Sequence, residues 1–223
     1  MSKLNINLNI DWRSKIIDLL IVVLGITIAY KLNTWNESSK AQSKAVNYIR
    51  SFSEENTRNE ENLRGALEFS VKNLESIDTL KKLLVSKRYD DPRIQELMGT
   101  MMALASYSPS VTTMENITAS GDFEILQDVE LRKKIIDTYN SYKTTLKLET
   151  MLLDYVGEYV TPYVFEKVRF SDGSIIEDDF IQDPQFENIV FGYSVLLSQQ
   201  VNGYSTNLLK VESLTEILDA AKE

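Results

Sequence analysis

The segment Ile16–Leu32, which reads IIDLLIVVLGITIAYKL, constrains this chain more than any other stretch in it. From Leu19 to Tyr30 it is apolar apart from Thr27, and its two charges, Asp18 and Lys31, stand near its ends. Seventeen helical residues rise about 25 Å, slightly short of a hydrocarbon core of about 30 Å. The flanks make up the difference. Lys15 and Lys31 can extend toward headgroups, and the only tryptophans, Trp12 and Trp35, bracket the run. Their 23-residue separation corresponds to about 35 Å of helix, the distance between two interfacial aromatic belts. The pattern predicts a transmembrane helix over 16–32, with Trp12, Lys15, Lys31 and Trp35 as interfacial anchors and the lipid bilayer as partner. A cleaved signal peptide, with Arg13 and Lys15 as its basic start and Thr27-Ile28-Ala29 as its cleavage site, puts Asp18 where an apolar core belongs. A buried core helix would carry its apolar residues along one stripe, whereas these run all round.

Charge divides at the span. Residues 1–15 hold Lys3, Arg13 and Lys15 against Asp11, whereas residues 33–223 hold 20 basic and 31 acidic residues, a net −11. An acidic body is repelled by phosphate backbones, so no nucleic-acid partner is expected. The chain has no histidine and no cysteine. That excludes His- or Cys-based zinc sites, thiol nucleophiles, Ser-His-Asp triads and disulfides. Eight glycines and four prolines in 223 residues favour long helices over strands and turns.

Three residues of the span are candidates for more than anchoring. Gly25 and Ala29 form a small-xxx-small pair that permits close helix–helix approach, the basis for expecting self-association through the span. Asp18 is an ionisable group in an apolar run, a functional hypothesis by default. The competing reading is an interfacial acid less than one turn from Lys15 that pairs with it. Basic residues on both sides (Lys3, Arg13, Lys15; Lys31, Lys40, Lys44) leave the positive-inside rule without a vote. A short N-terminus before a large acidic domain suggests that the N-terminus is cytoplasmic and the body translocated.

The run from Asp18 to Glu37 resembles the opening of a large uncharacterised family of Bacteroidota membrane proteins, at Asp18, Val22, Val23, Gly25, Ile26, Ala29, Asn33, Trp35, Asn36 and Glu37. A second patch is similar: Thr113-Met-Glu-Asn-Ile-Thr-Ala-Ser-Gly121, then Leu126, Glu130-Leu-Arg132 and Tyr139. The two patches cover about a quarter of the chain. Asp18 stands where the family more usually has glutamate, and the longer basic N-terminus of the family is missing. The resemblance implies a single-pass envelope protein with a helical extracytoplasmic domain, here a bacterial inner-membrane protein with its N-terminus cytoplasmic and its bundle in the periplasm. It implies no activity.

Beyond the span the chain reads as helices. We expect a tail over 1–15, a juxtamembrane helical stalk over 33–62, and a bundle over 63–223. The stripe Val46, Ile49, Phe52 resumes at Leu63, Leu67, Val71, Leu74, Ile77 and Leu84, at helical spacing. Residues 53–62, SEENTRNEEN, interrupt it and read as a solvated stalk or a break between helices. Asp91-Pro92 suggests an N-cap and first helical position. The helix that follows, to about Ser106, carries Ile94, Leu97, Met98, Met101, Met102 and Leu104, with the methionines as core filling. Ser108-Pro109-Ser110 breaks it. Thr112 or Thr113 then caps a helix with Glu115 as capping-box partner, ended by Ser120-Gly121. Asp128 caps a long helix that Pro162 kinks or shortens, Phe170–Ser174 forms a turn, and Asp183-Pro184 starts the last helix. The acids of the 171–183 loop (Asp172, Glu177, Asp178, Asp179, Asp183) suit a hard cation but lack the alternation of an EF-hand, so no metal and no cofactor is expected.

The expected fold is all-α: an N-terminal transmembrane helix, then an antiparallel up-and-down helical bundle of about four layers. Most of the eleven tyrosines fall on apolar stripes and read as core. With so few catalytic residue types, no enzyme is expected and no catalytic residue is assigned. The leading expectation is a membrane-anchored scaffold or adaptor presenting its acidic bundle to another membrane or envelope protein. The alternatives are a ligand-sensing bundle that signals through a partner, and an ion-coupled subunit using Asp18, the latter on layout alone.

Overall fold

The computed structural model describes residues 12–169, 171, 174–177 and 179–222. Over these residues the fold is all-α: α1 (Trp12–Val85), α2 (Ile94–Gly99), α3 (Thr112–Ser120), α4 (Val129–Tyr155), α5 (Thr161–Lys167) and α6 (Pro184–Ala220). One isolated antiparallel bridge joins Val168 and Ile175. The chain divides into two compact units, Met1–Asn47 and Tyr48–Glu223, and α1 contributes residues to both.

In the first unit, α1 carries a stretch long and apolar enough to cross a membrane, and none of that stretch is buried. A core helix is therefore the wrong description of 16–32. The Thr27 hydroxyl donates to the Val23 carbonyl at 2.7 Å and Thr34 to Tyr30 at 2.9 Å. Both polar side chains are thereby satisfied within the helix, as an apolar surrounding demands. Asn33 donates to Glu37 at 3.0 Å, which gives a physical reason for an Asn and a Glu one helical turn apart in this stretch.

The second unit runs up, down, up, down, with an unequal second leg. Asn56 of α1 bonds the Val211 carbonyl of α6, whereas Lys81, seven turns on, reaches Ser194. Asn207 bonds Thr145, and Tyr155 bonds Ile189. Thus α6 is antiparallel to both α1 and α4. The descending leg between α1 and α4 is a strap of chain. Asn73 donates to the Ala103 carbonyl at 2.6 Å, Asn59 to that of Ser110 at 2.8 Å, and Tyr48 to the Asp122 carboxylate at 3.1 Å. Residues 103–122 thus pass down α1 against its chain direction.

Along α1 the interior positions step by threes and fours without a gap: Phe52, Glu55, Asn59, Leu63, Ala66, Ser70, Asn73, Ile77, Leu80, Leu84. The expected interruption at 53–62 does not occur. The helix continues, Glu54 and Glu61 face solvent, and Ser53, Glu55, Asn56 and Asn59 are buried. The core consequently changes character along the bundle. Ile77, Leu80, Met98, Met101, Val160, Phe186 and Val190 build an apolar end, and polar side chains are threaded through the other.

Several local signals act as expected. Asp128 accepts from the Glu130 and Leu131 amides, Asp183 accepts from Gln185 with Pro184 opening α6, and Gly121 closes α3 at φ 71°. Pro162 lies past the end of α4, in the first turn of α5, so the helix is shortened ahead of it. A π-helical turn, Val156–Val160, precedes it, and the Thr161 amide reaches back to the Val156 carbonyl. The wider turn makes room for a ring that would clash in α geometry. Asp91 caps a turn rather than α2, which starts at Ile94; its carboxylate takes the Arg93 amide and guanidinium and that of Arg88. The expected capping box on α3 is absent, for a reason that lies in the site.

Candidate functional site

The residues singled out in the span, Trp12, Lys15, Asp18, Gly25, Ala29, Lys31 and Trp35, all lie exposed on α1. Lys15 and Asp18 form no ion pair among the described residues. A Cβ added to Gly25 would meet nothing within 4 Å. The structure places these positions along one helix. The first eleven residues, with Lys3, and Asp172 and Asp178 of the acidic loop lie outside the described residues. Among those described, no three acids gather as a cation site.

The chemistry inside the bundle centres on Glu55, 1% exposed. Its Oε2 accepts from Ser110 Oγ at 3.0 Å, the Thr113 amide at 2.9 Å and Thr113 Oγ1 at 3.1 Å, and its Oε1 accepts from the Tyr139 hydroxyl. Thr113 stands in the first turn of α3, where helix amides lack partners and the dipole favours negative charge. A carboxylate from α1 therefore caps α3 in place of the local Thr112–Glu115 box. Next to it Asn59 grips Ser110 twice, donating to the carbonyl at 2.8 Å and accepting from the amide at 2.7 Å. Tyr139 packs 5.2 Å from Tyr142, and Tyr142 lies 5.8 Å from Tyr107, centroid to centroid. Burial raises the Tyr139 hydroxyl far above its ordinary range, and the Glu55 bond adds to that; burial also lifts Tyr142 to about 12. These phenols are neutral donors at any physiological pH, so Glu55 is held by hydrogen bonds and by no cation among the described residues.

A second carboxylate, Glu149 of α4, sits one layer on. Its Oε1 accepts from the Tyr107 amide at 2.8 Å and from the Tyr204 hydroxyl of α6. Burial pushes its pKa up, and these two bonds oppose the rise. Gln200 donates to Tyr204 at 3.1 Å. Glu149 and Gln200 line a cavity of about 240 Å³ with Leu104, Ser106, Leu146 and Leu153.

A model for a family of unknown function, DUF6090, matches residues 18–193, more than three quarters of the chain. The chain belongs to that family. No curated protein and no solved structure matches it.

The DUF6090 match begins at Asp18 and takes in both carboxylates, the strap and Tyr139; Gln200 and Tyr204 fall beyond it. Sequence reasoning missed Glu55, Asn59 and Glu149 in this DUF6090 protein. Glu55 and Asn59 sit in the charged run 53–62, which reads from hydropathy as a solvated stalk or a break between helices. The signal that could have found them is spacing: Phe52, Glu55, Asn59 and Leu63 continue the stripe at threes and fours, with polar residues in core positions. Thr113, by contrast, lies in the second patch that carries the family resemblance, and its contact with Glu55 gives that residue a physical task.

Proposed function

We propose that this protein is a single-pass inner-membrane protein of the Bacteroidota envelope, a non-enzymatic scaffold or adaptor whose acidic helical bundle docks partner proteins in the periplasm. The observation that carries the reading is the wholly exposed apolar run of α1, which only lipid or another helix can cover at acceptable cost. The polar interior supports it. Glu55 is saturated by structural hydrogen bonds and closed to solvent, so it braces the bundle and leaves the outer surface for recognition. Ligand sensing has its own supporting observation in the Glu149 cleft. Ion coupling rests on Asp18, at the end of the span.

Two measurements test this. The native chain has no cysteine, so Ser14→Cys and Gln42→Cys flank the span with unique thiols. A membrane-impermeant maleimide added to intact spheroplasts should label Gln42→Cys and spare Ser14→Cys; the reverse pattern overturns the orientation. For the adaptor role, a photo-crosslinking residue at exposed Val195 or Leu209 of the full chain, in its own host, should give discrete protein adducts. A charged substitution beside the crosslinker should abolish them, and absence of any adduct from both positions counts against the adaptor.

A further inference from the structure

We infer that the groove between α4 and α6 is a pairing face for a second copy of this chain, around a two-fold axis parallel to the helices. The groove encloses about 420 Å³. Its α4 wall carries Asp137, Asn140 and Thr144, and its α6 wall Asn202, Thr206 and Lys210. Both sets step by threes and fours, so each wall is one face of its helix. Thr138 donates to the Lys210 carbonyl at 3.5 Å, which sets Asp137 and Lys210 at the same end. Toward the other end, where Tyr155 bonds Ile189, Met151 continues the α4 stripe and Val195 the α6 stripe, 41% and 57% exposed. The face therefore runs from an acid and a base, through amides and hydroxyls, to hydrocarbon.

A face that pairs with its own copy must be complementary to itself. Residues 33–223 carry a net charge of −11, so most of the body repels a second body. Among the residues lining this groove only Asp137 and Lys210 are charged, and they cancel. Asparagine and threonine each hold a donor and an acceptor, so these side chains can bond their own kind, which ionised carboxylates cannot. With the two-fold axis along the helices, α4 of one copy lies against α6 of the other at the same level. Asp137 then meets Lys210 of the second copy, and Met151 meets Val195 of the second copy. An antiparallel pairing would set the charges against hydrocarbon, at a desolvation cost. The parallel sense also lets both spans enter one membrane from the same side, and to that extent it rests on the proposed anchorage.

The test co-expresses two full-length chains in their own host, one with Thr144→Cys and the other with Thr206→Cys and a heavier tag; the native chain has no cysteine. Mild oxidation of the membranes should give a disulfide-linked band at the mass of one chain of each kind. Asp137→Lys in the Thr144→Cys chain should lower that band about tenfold, because like charges set opposite each other oppose association. Lys210→Asp in the other chain should restore it. A contact within one chain cannot be repaired by a change in another, so the rescue reads the pairing itself, with circular dichroism of each variant unchanged. Absence of the mixed band overturns the inference, as does a band indifferent to Asp137→Lys. Adducts of a different mass in its place assign the face to another protein and overturn it too. Flotation of the same chains with lipid reads the anchor separately: chains that float and do not pair remove the two-fold face and leave the anchor standing.

Discussion

Glu55 accepts the Thr113 amide at 2.9 Å across 58 residues of sequence, so α3 is capped by a side chain of α1. One carboxylate thereby ties together the first long helix, the returning strap and, through Tyr139, α4. Glu55→Ala would leave the Thr113 amide and hydroxyl, the Ser110 hydroxyl and the Tyr139 hydroxyl without their acceptor, four donors packed around a buried group. Each buried unsatisfied group costs about 1–3 kcal/mol, so the variant should lose about 3 kcal/mol or more. Its melting temperature should fall by about 6–12 °C for a chain of this size, followed by circular dichroism of the full chain in detergent. Glu55→Gln keeps an acceptor and should lose clearly less. An alanine variant as stable as wild type would show that the strap is not held here.

The features legible in the sequence are those whose physics is local. Asp128 and Asp183 cap the helices that follow them, and Gly121 takes a left-handed conformation at a helix end. The span is legible because its apolar residues run all round one helix. Glu55 and Asn59 are opaque to the same reading because hydropathy assigns charged and amide side chains to solvent. Their burial is decided by the strap, whose irregular stretch before α3 and whose first α3 amides need partners that only the tertiary fold supplies. Glu149, Tyr204 and Gln200 meet only once the register of α4 against α6 is known, and single-sequence reasoning does not supply that register.

α6 approaches α4 closely at two of its glycines. A Cβ at Gly192 would run into the Tyr155 hydroxyl and stand 2.8 Å from the ring carbon that bears it. Tyr155 is held by its bond to the Ile189 carbonyl at 3.1 Å, so it gives way poorly. Gly192→Ala should therefore cost about 1–3 kcal/mol of overpacking, offset by about 1 kcal/mol of helix propensity. At Gly203 the added Cβ meets the flexible end of Leu148, and Gly203→Ala should be neutral or slightly stabilising. Melting temperatures of the two variants rank them, and Tyr155→Phe in the Gly192→Ala background should recover part of the loss. Equal behaviour of the two alanines would remove the argument.

Asp91 governs acid sensitivity at the turn between α1 and α2. Hydrogen bonds from the Arg93 guanidinium and amide, opposed by burial, lower its pKa from 3.8 to about 2. A depressed folded-state pKa gives stability that is present above the unfolded value and lost as pH falls through the folded one. The difference in melting temperature between wild type and Asp91→Asn should hence be constant above about pH 4 and shrink as the pH approaches the folded-state value near 2. A difference that does not vary between pH 6 and pH 2 would mean that the carboxylate charge is not what the arginines hold.

Gly25 separates packing within the chain from packing between chains. A Cβ added there meets no other part of the described chain within 4 Å, and the helix face around it is exposed, so Gly25→Leu has room in the monomer. Any effect on association must then come from a second span laid against the Gly25–Ala29 face, where small residues permit the closest approach. In membranes, Gln42→Cys chains treated with a bismaleimide should yield a dimer band, and adding Gly25→Leu should reduce that band several-fold. Ile28→Leu, which makes no small residue larger, should leave it unchanged. A dimer band insensitive to Gly25→Leu assigns any association to other surfaces, and with no dimer band at all the expectation of self-association through the span falls.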